Sequence, residues 1–125
     1  MKEVEEFMKP VPFDYYAPTS AVEALDRLNE LGYNGKVLAG GQSLIPAMNF
    51  RMARPTALVD LNRIPELSYI RCGADGSVAI GTMARVSQVE KNAEVMRRFP
   101  LLAEVMPNIA HAQIRNRGTF GGALA

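Results

Sequence analysis

Cysteine and histidine are almost missing: Cys72 and His111 are the sole examples of each in 125 residues. One thiol cannot close an internal disulfide, which suits a reducing, cytoplasmic setting. Zinc and iron–sulfur centres take several ligands from cysteine and histidine, so no such centre can be built from this chain alone. A lone histidine also gives no footing for a Ser-His-Asp arrangement, and His111 reads better as the partner of a helix C-terminus than as a base. Neither a GxxxxGK phosphate loop nor a GxGxxG fingerprint occurs. Charge of one sign is lacking too: 14 Lys and Arg against 13 Asp and Glu leave a net +1. That balance excludes the basic footprint of a nucleic-acid binder, and Arg115 and Arg117 fit a local diphosphate better than a polymer. No apolar run approaches the roughly 20 residues that cross a bilayer. The first residues, Met1-Lys2-Glu3-Val4-Glu5-Glu6-Phe7, are acidic and polar, unlike a secretory signal.

What remains is an ordinary globular composition, 48% hydrophobic and 22% charged. The length suits one domain with a real core. Two glycine-containing stretches organise it. In the first, Lys36-Val37-Leu38-Ala39-Gly40-Gly41-Gln42-Ser43-Leu44-Ile45-Pro46 reads as strand, tight turn and helix. Val37 and Leu38 suit a buried strand, and Gly40 and Gly41 permit positive φ and leave the backbone bare. Ser43 can cap the next helix, and Pro46 is tolerated only near a helix start. Bare amides at a helix mouth make an anion site, although a Gly-Gly between strand and helix can equally be only a turn. The second stretch, Ile114-Arg115-Asn116-Arg117-Gly118-Thr119-Phe120-Gly121-Gly122, is another glycine turn behind a hydroxyl and two arginines.

Between them the elements read in order. Phe13 to Tyr16 is a first strand, closed by Pro18. Ser20 with Glu23 forms a capping box for a helix whose Val22, Leu25, Leu28 and Leu31 are spaced for burial, with Gly32 at its exit. Leu44 to Met52 is an amphipathic piece with Met48 and Met52 as core filler, ended by Arg54-Pro55. Ala57 to Leu61 is a buried strand, and Asp60 at its end reads as a backbone cap. Ile64 to Leu67 is a turn. Leu67 to Cys72 and Val78 to Gly81 pair as a hairpin across Gly73-Ala74-Asp75-Gly76. A helix from about Ser87, boxed by Glu90, runs to Pro100, and Leu101 to Ile109 forms the next despite Pro107. Tyr15 and Tyr16 read as packing and interface. The alternation gives an α/β (α+β) sandwich with mixed sheet character.

Ala39-Gly40-Gly41-Gln42-Ser43-Leu44-Ile45-Pro46 continuing to Leu58-Val59-Asp60-Leu61, followed by Gln113-Ile114-Arg115-Asn116-Arg117-Gly118-Thr119-Phe120-Gly121-Gly122, resembles the flavin-binding subunits or domains of the molybdenum hydroxylases. That family includes the medium subunit of aerobic carbon monoxide dehydrogenase and the middle part of xanthine dehydrogenase. The likeness runs from about Phe13 to the end, and the two motifs in this order are far more specific than either alone. It implies an FAD-binding PCMH-type fold: a first subdomain over about 13–61 with a short parallel sheet flanked by helices, the opening of a second over about 62–125, and the flavin between them. It further implies that Val37, Leu38, Ala39, Gly40, Gly41, Gln42, Ser43 and Leu44 wrap one side of the FAD diphosphate. Thr119, Phe120, Gly121, Gly122 and Ala123 would wrap the other, with Ile109 near the flavin.

No catalytic side chain is implied. Electrons would arrive from molybdenum through [2Fe-2S] clusters and leave from FAD to an external acceptor. The clusters would sit on an iron–sulfur small subunit and the molybdopterin cytosine dinucleotide on a large subunit, in complexes that are commonly dimers of heterotrimers. Ala123 departs from the family, which often has Asn or Ser there, so one diphosphate contact is in doubt. Relatives also continue well past residue 125, so the chain resembles the N-terminal portion of a flavoprotein subunit, truncated or split, that alone holds FAD weakly or not at all. Two other readings stay open: a flavin-free module of the same fold that docks partner subunits, and a related flavin oxidase with histidine-linked flavin, for which Gln42 lies at the place to look.

Overall fold

The computed structural model describes residues 12–42, 44–108 and 117–124. The chain divides into two units, Met1–Ile64 and Pro65–Ala125. The first is built on β1 (Asp14–Tyr16), β2 (Gly35–Leu38) and β3 (Ala57–Asp60) in the order β1-β3-β2. Both pairings are parallel, with Tyr16 opposite Val59 and Leu38 opposite Asp60. The strand that comes last in the chain is therefore the central one, and all four of its residues are buried. An apolar run such as Ala57-Leu58-Val59 suits a parallel strand covered on both faces. Among the described residues β2 has a strand neighbour on one side only, and Val37 is 42% exposed, so the burial expected of Val37 and Leu38 belongs to β3 instead.

Helix α1 (Ala21–Leu31) starts where the capping residues place it. The Ser20 hydroxyl accepts from Glu23 N–H at 3.1 Å, but the Glu23 carboxylate accepts from Thr19 N–H rather than Ser20 N–H. Gly32 closes the helix at φ 54°, its N–H donating to Leu28 carbonyl. The buried face differs from the expected one. Val22 and Leu25 are 69% and 66% exposed, while Ala24 is buried and Ala21, Leu28 and Leu31 are half-buried. The reason is geometric: a strict three-residue spacing drifts by about 60° a step, so Val22 and Leu31 lie on opposite sides of the helix.

Helix α2 (Leu44–Asn49) stops three residues short of the expected Met52. Met52 N–H donates to Ala47 carbonyl at 2.7 Å and Arg51 N–H to Met48 carbonyl at 2.9 Å, with Arg51 at φ 57°. That pair of bonds is a Schellman closure with arginine in the left-handed position. The chain has already left the helix before Arg54-Pro55. Met48 is core as expected, at 2% exposure, whereas Met52 is 78% exposed.

The second unit opens on the antiparallel hairpin of β4 (Ile70–Cys72) and β5 (Val78–Ile80). Among the described residues one sheet is wholly parallel and the other antiparallel, so neither has the mixed character expected. The Asp75 carboxylate accepts from Ser77 N–H and hydroxyl at 3.1 and 2.6 Å, and Gly76 takes φ 89°.

In place of one helix from Ser87 to Pro100 there are two, α3 (Val86–Glu90) and α4 (Ala93–Arg98). Asn92 separates them, its side-chain oxygen capping Val95 N–H at 3.0 Å. Because α3 begins at Val86, Ser87 and Glu90 lie inside it. Gln88 makes the reach-back bond instead, accepting from Arg85 N–H at 3.0 Å. α5 (Pro100–Val105) begins on its proline and gives way to a 3₁₀ turn over Met106–Asn108, so Pro107 does end the α-helix. Ile109 lies outside the described residues. α6 (Phe120–Leu124) is the last described element. The core here is Ala84, Val86, Val89, Val95 and Met106, against which Val78, Ile80, Leu102 and Phe120 pack. Arg98 ties α4 to the hairpin by donating to the carbonyls of Gly73 and Ser77 at 2.6 and 3.0 Å.

Candidate functional site

The first glycine loop leaves β2 at the C-terminal edge of the parallel sheet, where open α/β sheets carry their ligands. Of the pair, Gly41 takes positive φ, at 77°. A Cβ there would also meet Ile45 Cγ1 at 3.1 Å, a tight contact, and Leu38 Cδ1 at 3.4 Å, but it is the positive φ that favours glycine. Gly41 carbonyl accepts from Ile45 N–H at 3.2 Å, joining the loop to α2. Gln42 side-chain N–H reaches Gly40 carbonyl at 3.4 Å. Among the described residues, none accepts from the backbone N–H groups of Gly40, Gly41 or Gln42. Ser43, the expected cap, lies outside the described residues.

Side chains from the neighbouring strands brace this loop. Asn62 Nδ2 donates to Ala39 carbonyl at 2.8 Å, and Leu61 N–H to Leu38 carbonyl at 3.0 Å. Asp60 Oδ1 accepts from both Asn62 N–H and Asn62 Nδ2, at 2.8 and 2.6 Å, while its Oδ2 accepts from the Tyr15 hydroxyl. Asp60 is thus the turn cap its position suggests, and more, since it is 8% exposed and joins β1 to β3. Burial pushes its carboxyl pKa up, but the bonds from Tyr15 and Asn62, with the Arg63 charge, outweigh that and hold it below 3.8. The same carboxylate raises the Tyr15 pKa, first through the hydrogen bond and then with desolvation and charge. Tyr15 is 52% exposed, and its role is this bond as much as packing. Asn62 drew no attention in the sequence. The signal was there, since Asp-x-Asn at a strand exit is an Asx-turn pattern.

The second glycine stretch differs from a turn. Arg85 and Thr119 form an antiparallel bridge, with Val86 N–H on Gly118 carbonyl and Phe120 N–H on Ala84 carbonyl, at 2.9 and 2.8 Å. α6 begins at Phe120, so Gly121 and Gly122 occupy its first turn. Thr119 is buried, its hydroxyl accepting from Gly122 N–H at 3.1 Å and its carbonyl from Ala123 N–H at 3.0 Å. Gly121 N–H donates to Thr82 carbonyl at 2.9 Å. The Gly121 Cβ position lies 1.7 Å from Thr82 Oγ1, so this glycine makes room for the segment at Thr82. The amides of Phe120, Gly121 and Gly122 therefore all have acceptors within the protein. Ile109, His111 and Arg115 lie outside the described residues; Arg117 is exposed, and its carbonyl accepts from Arg85 at 2.5 Å.

Among the described residues there is no group of three or more metal-ligating side chains, and no helix is long and apolar enough to cross a membrane. Chemically the first loop offers backbone donors held by a braced turn.

Comparison with known proteins gives this geometry its context. Residues 11–125 match the family described as FAD binding domain in molybdopterin dehydrogenase. The chain is 49% identical over 119 residues to the carbon monoxide dehydrogenase medium chain of Hydrogenophaga pseudoflava, covering 94% of this chain and 41% of that one. It is 48% identical over 118 residues to the 6-hydroxypseudooxynicotine dehydrogenase complex subunit alpha of Paenarthrobacter nicotinovorans, with 94% and 40% covered. Among solved structures, carbon monoxide dehydrogenase from Hydrogenophaga pseudoflava superposes at a TM-score of 0.89 and 47% identity, over 94% of this chain and 40% of that one. Quinoline 2-oxidoreductase from Pseudomonas putida 86 gives 0.88 and 38%, over 94% and 41%. The chain thus spans about two fifths of the length of the curated relatives it matches. The fold is that of these α/β flavin-binding chains, and the chain belongs to the family of FAD-binding domains of molybdopterin dehydrogenases.

Proposed function

We propose that this chain is the FAD-binding portion of the flavoprotein subunit of a molybdenum hydroxylase, an oxidoreductase complex, and that it relays electrons from iron–sulfur clusters through FAD to an external acceptor. One observation supports it above the others: a glycine loop at the C-terminal edge of a parallel sheet whose amides at Gly40, Gly41 and Gln42 are used by none of the described residues. Such a loop fits a diphosphate, which needs several backbone donors and no intervening side chain.

In this reading Val37 to Leu44 hold one side of the diphosphate. Thr119, Phe120, Gly121, Gly122 and Ala123 form the other side, with Ile109 beside the flavin. Thr119 and Gly121 act there chiefly by shaping the backbone, since their groups bond to the protein itself. The Ala123 methyl adds no polar contact. Bound FAD supplies the redox chemistry, taking electrons and passing them on, while the chain places and shields it. The clusters and the molybdopterin cofactor belong to a small and a large partner subunit, the assembly is a dimer of heterotrimers, and the complex is cytoplasmic.

The test is to co-express the full-length subunit with its partner subunits and record the visible spectrum. One flavin equivalent per subunit, bleached by the substrate of the complex, is the expected result. A correctly assembled complex with no flavin bands overturns the reading in favour of a flavin-free docking module.

A further inference from the structure

We propose that Asn62, backed by Asp60 and Tyr15, is the positioning residue of the first glycine loop, fixing the Ala39 carbonyl so that the following amides face the diphosphate. This rests on the FAD reading above. Two adjacent glycines leave the loop free to adopt many backbone states, and ordering it on the ligand would weaken binding. The structure holds the loop at its root instead. Asn62 Nδ2 donates to Ala39 carbonyl at 2.8 Å, the last peptide before the glycines. Its amide cannot be turned over, because the same nitrogen also faces Asp60 Oδ1 at 2.6 Å and an oxygen there would meet two acceptors. Asp60 is fixed in turn from its other oxygen by the Tyr15 hydroxyl. The relay runs from β1 through the exit of β3 to the exit of β2, across all three strands of the sheet. None of these side chains is needed to touch the ligand.

The experiment uses the full-length subunit in its complex, stripped of FAD and titrated with it. Asn62→Ala is expected to raise the FAD Kd about tenfold, a change worth about 1.4 kcal/mol, through faster dissociation. Tyr15→Phe, one bond further back, should raise it two- to threefold. The midpoint potential of the bound flavin should not move, and the thermal midpoint of the FAD-free protein should stay within a few degrees of wild type. Wild-type FAD affinity in Asn62→Ala overturns the positioning role while leaving the FAD reading intact, as does a loss of thermal stability with Kd unchanged. A wild-type complex that takes up no FAD overturns both. If Asn62→Ala fails to assemble, Tyr15→Phe decides, and an unchanged Kd there overturns the proposal.

Discussion

Tyr15 and Asp60 share one contact whose strength depends on pH at both ends. The Asp60 carboxyl is held below its ordinary value of 3.8, so its contribution to stability is present above that value and is lost as pH falls through the folded pKa. The Tyr15 hydroxyl is raised above 10.0, so its contribution is complete below that value and is lost as pH rises through the folded pKa. Tyr15→Phe is therefore expected to cost about 0.5–1 kcal/mol on the plateau between, a modest figure because the tyrosine is half exposed. Urea unfolding of the two proteins as a function of pH should show the gap closing at both extremes. Arg51 offers the opposite case. It sits at φ 57° in a position that favours glycine. Arg51→Gly should raise stability by about 0.5–1 kcal/mol, relief of the left-handed strain being partly offset by the freer unfolded chain. A rise in Tm measured by calorimetry checks it.

Among the elements, α6 depends on a close approach. The Gly121 Cβ position lies 1.7 Å from Thr82 Oγ1 and 2.9 Å from Thr82 carbonyl oxygen, which is backbone. Gly121→Ala should destabilise the second unit by roughly 1–3 kcal/mol. The cost should shrink in a Thr82→Gly background, giving a non-additive double-mutant cycle in chemical denaturation. Elements whose ends are set by neighbouring side chains were legible in the sequence. Ser20, Gly32, the Gly73–Gly76 turn and the break at Pro100 all act over a few residues. Misreadings arose where something distant decides. Which face of α1 is covered depends on the sheet, and which strand is central depends on where β3 inserts. Asn92 starts α4 and Arg51 closes α2 by local bonds that their residue types only weakly advertise. Of the site, the Gly40–Gly41 loop could be read directly, whereas the relay behind it joins residues up to 45 apart in sequence.

At the scale of the whole molecule, the chain spans about two fifths of relatives that match it along nearly its entire length. We expect the 125 residues expressed alone to hold FAD far more weakly than the full-length subunit, because a dinucleotide held by part of its site forfeits the contacts that the rest supplies. Equilibrium dialysis of both proteins against FAD measures the difference, and one equivalent retained by the short chain would refute it.

The β1-β3-β2 order also has a consequence for synthesis. The ribosome delivers both outer strands before the one they share, and the two never pair with each other. Until Ala57–Asp60 clears the exit tunnel, the nascent chain has no ladder to close. The glycine loop then trails from one waiting edge, and it is braced only when the third strand arrives and brings Asn62 to the Ala39 carbonyl.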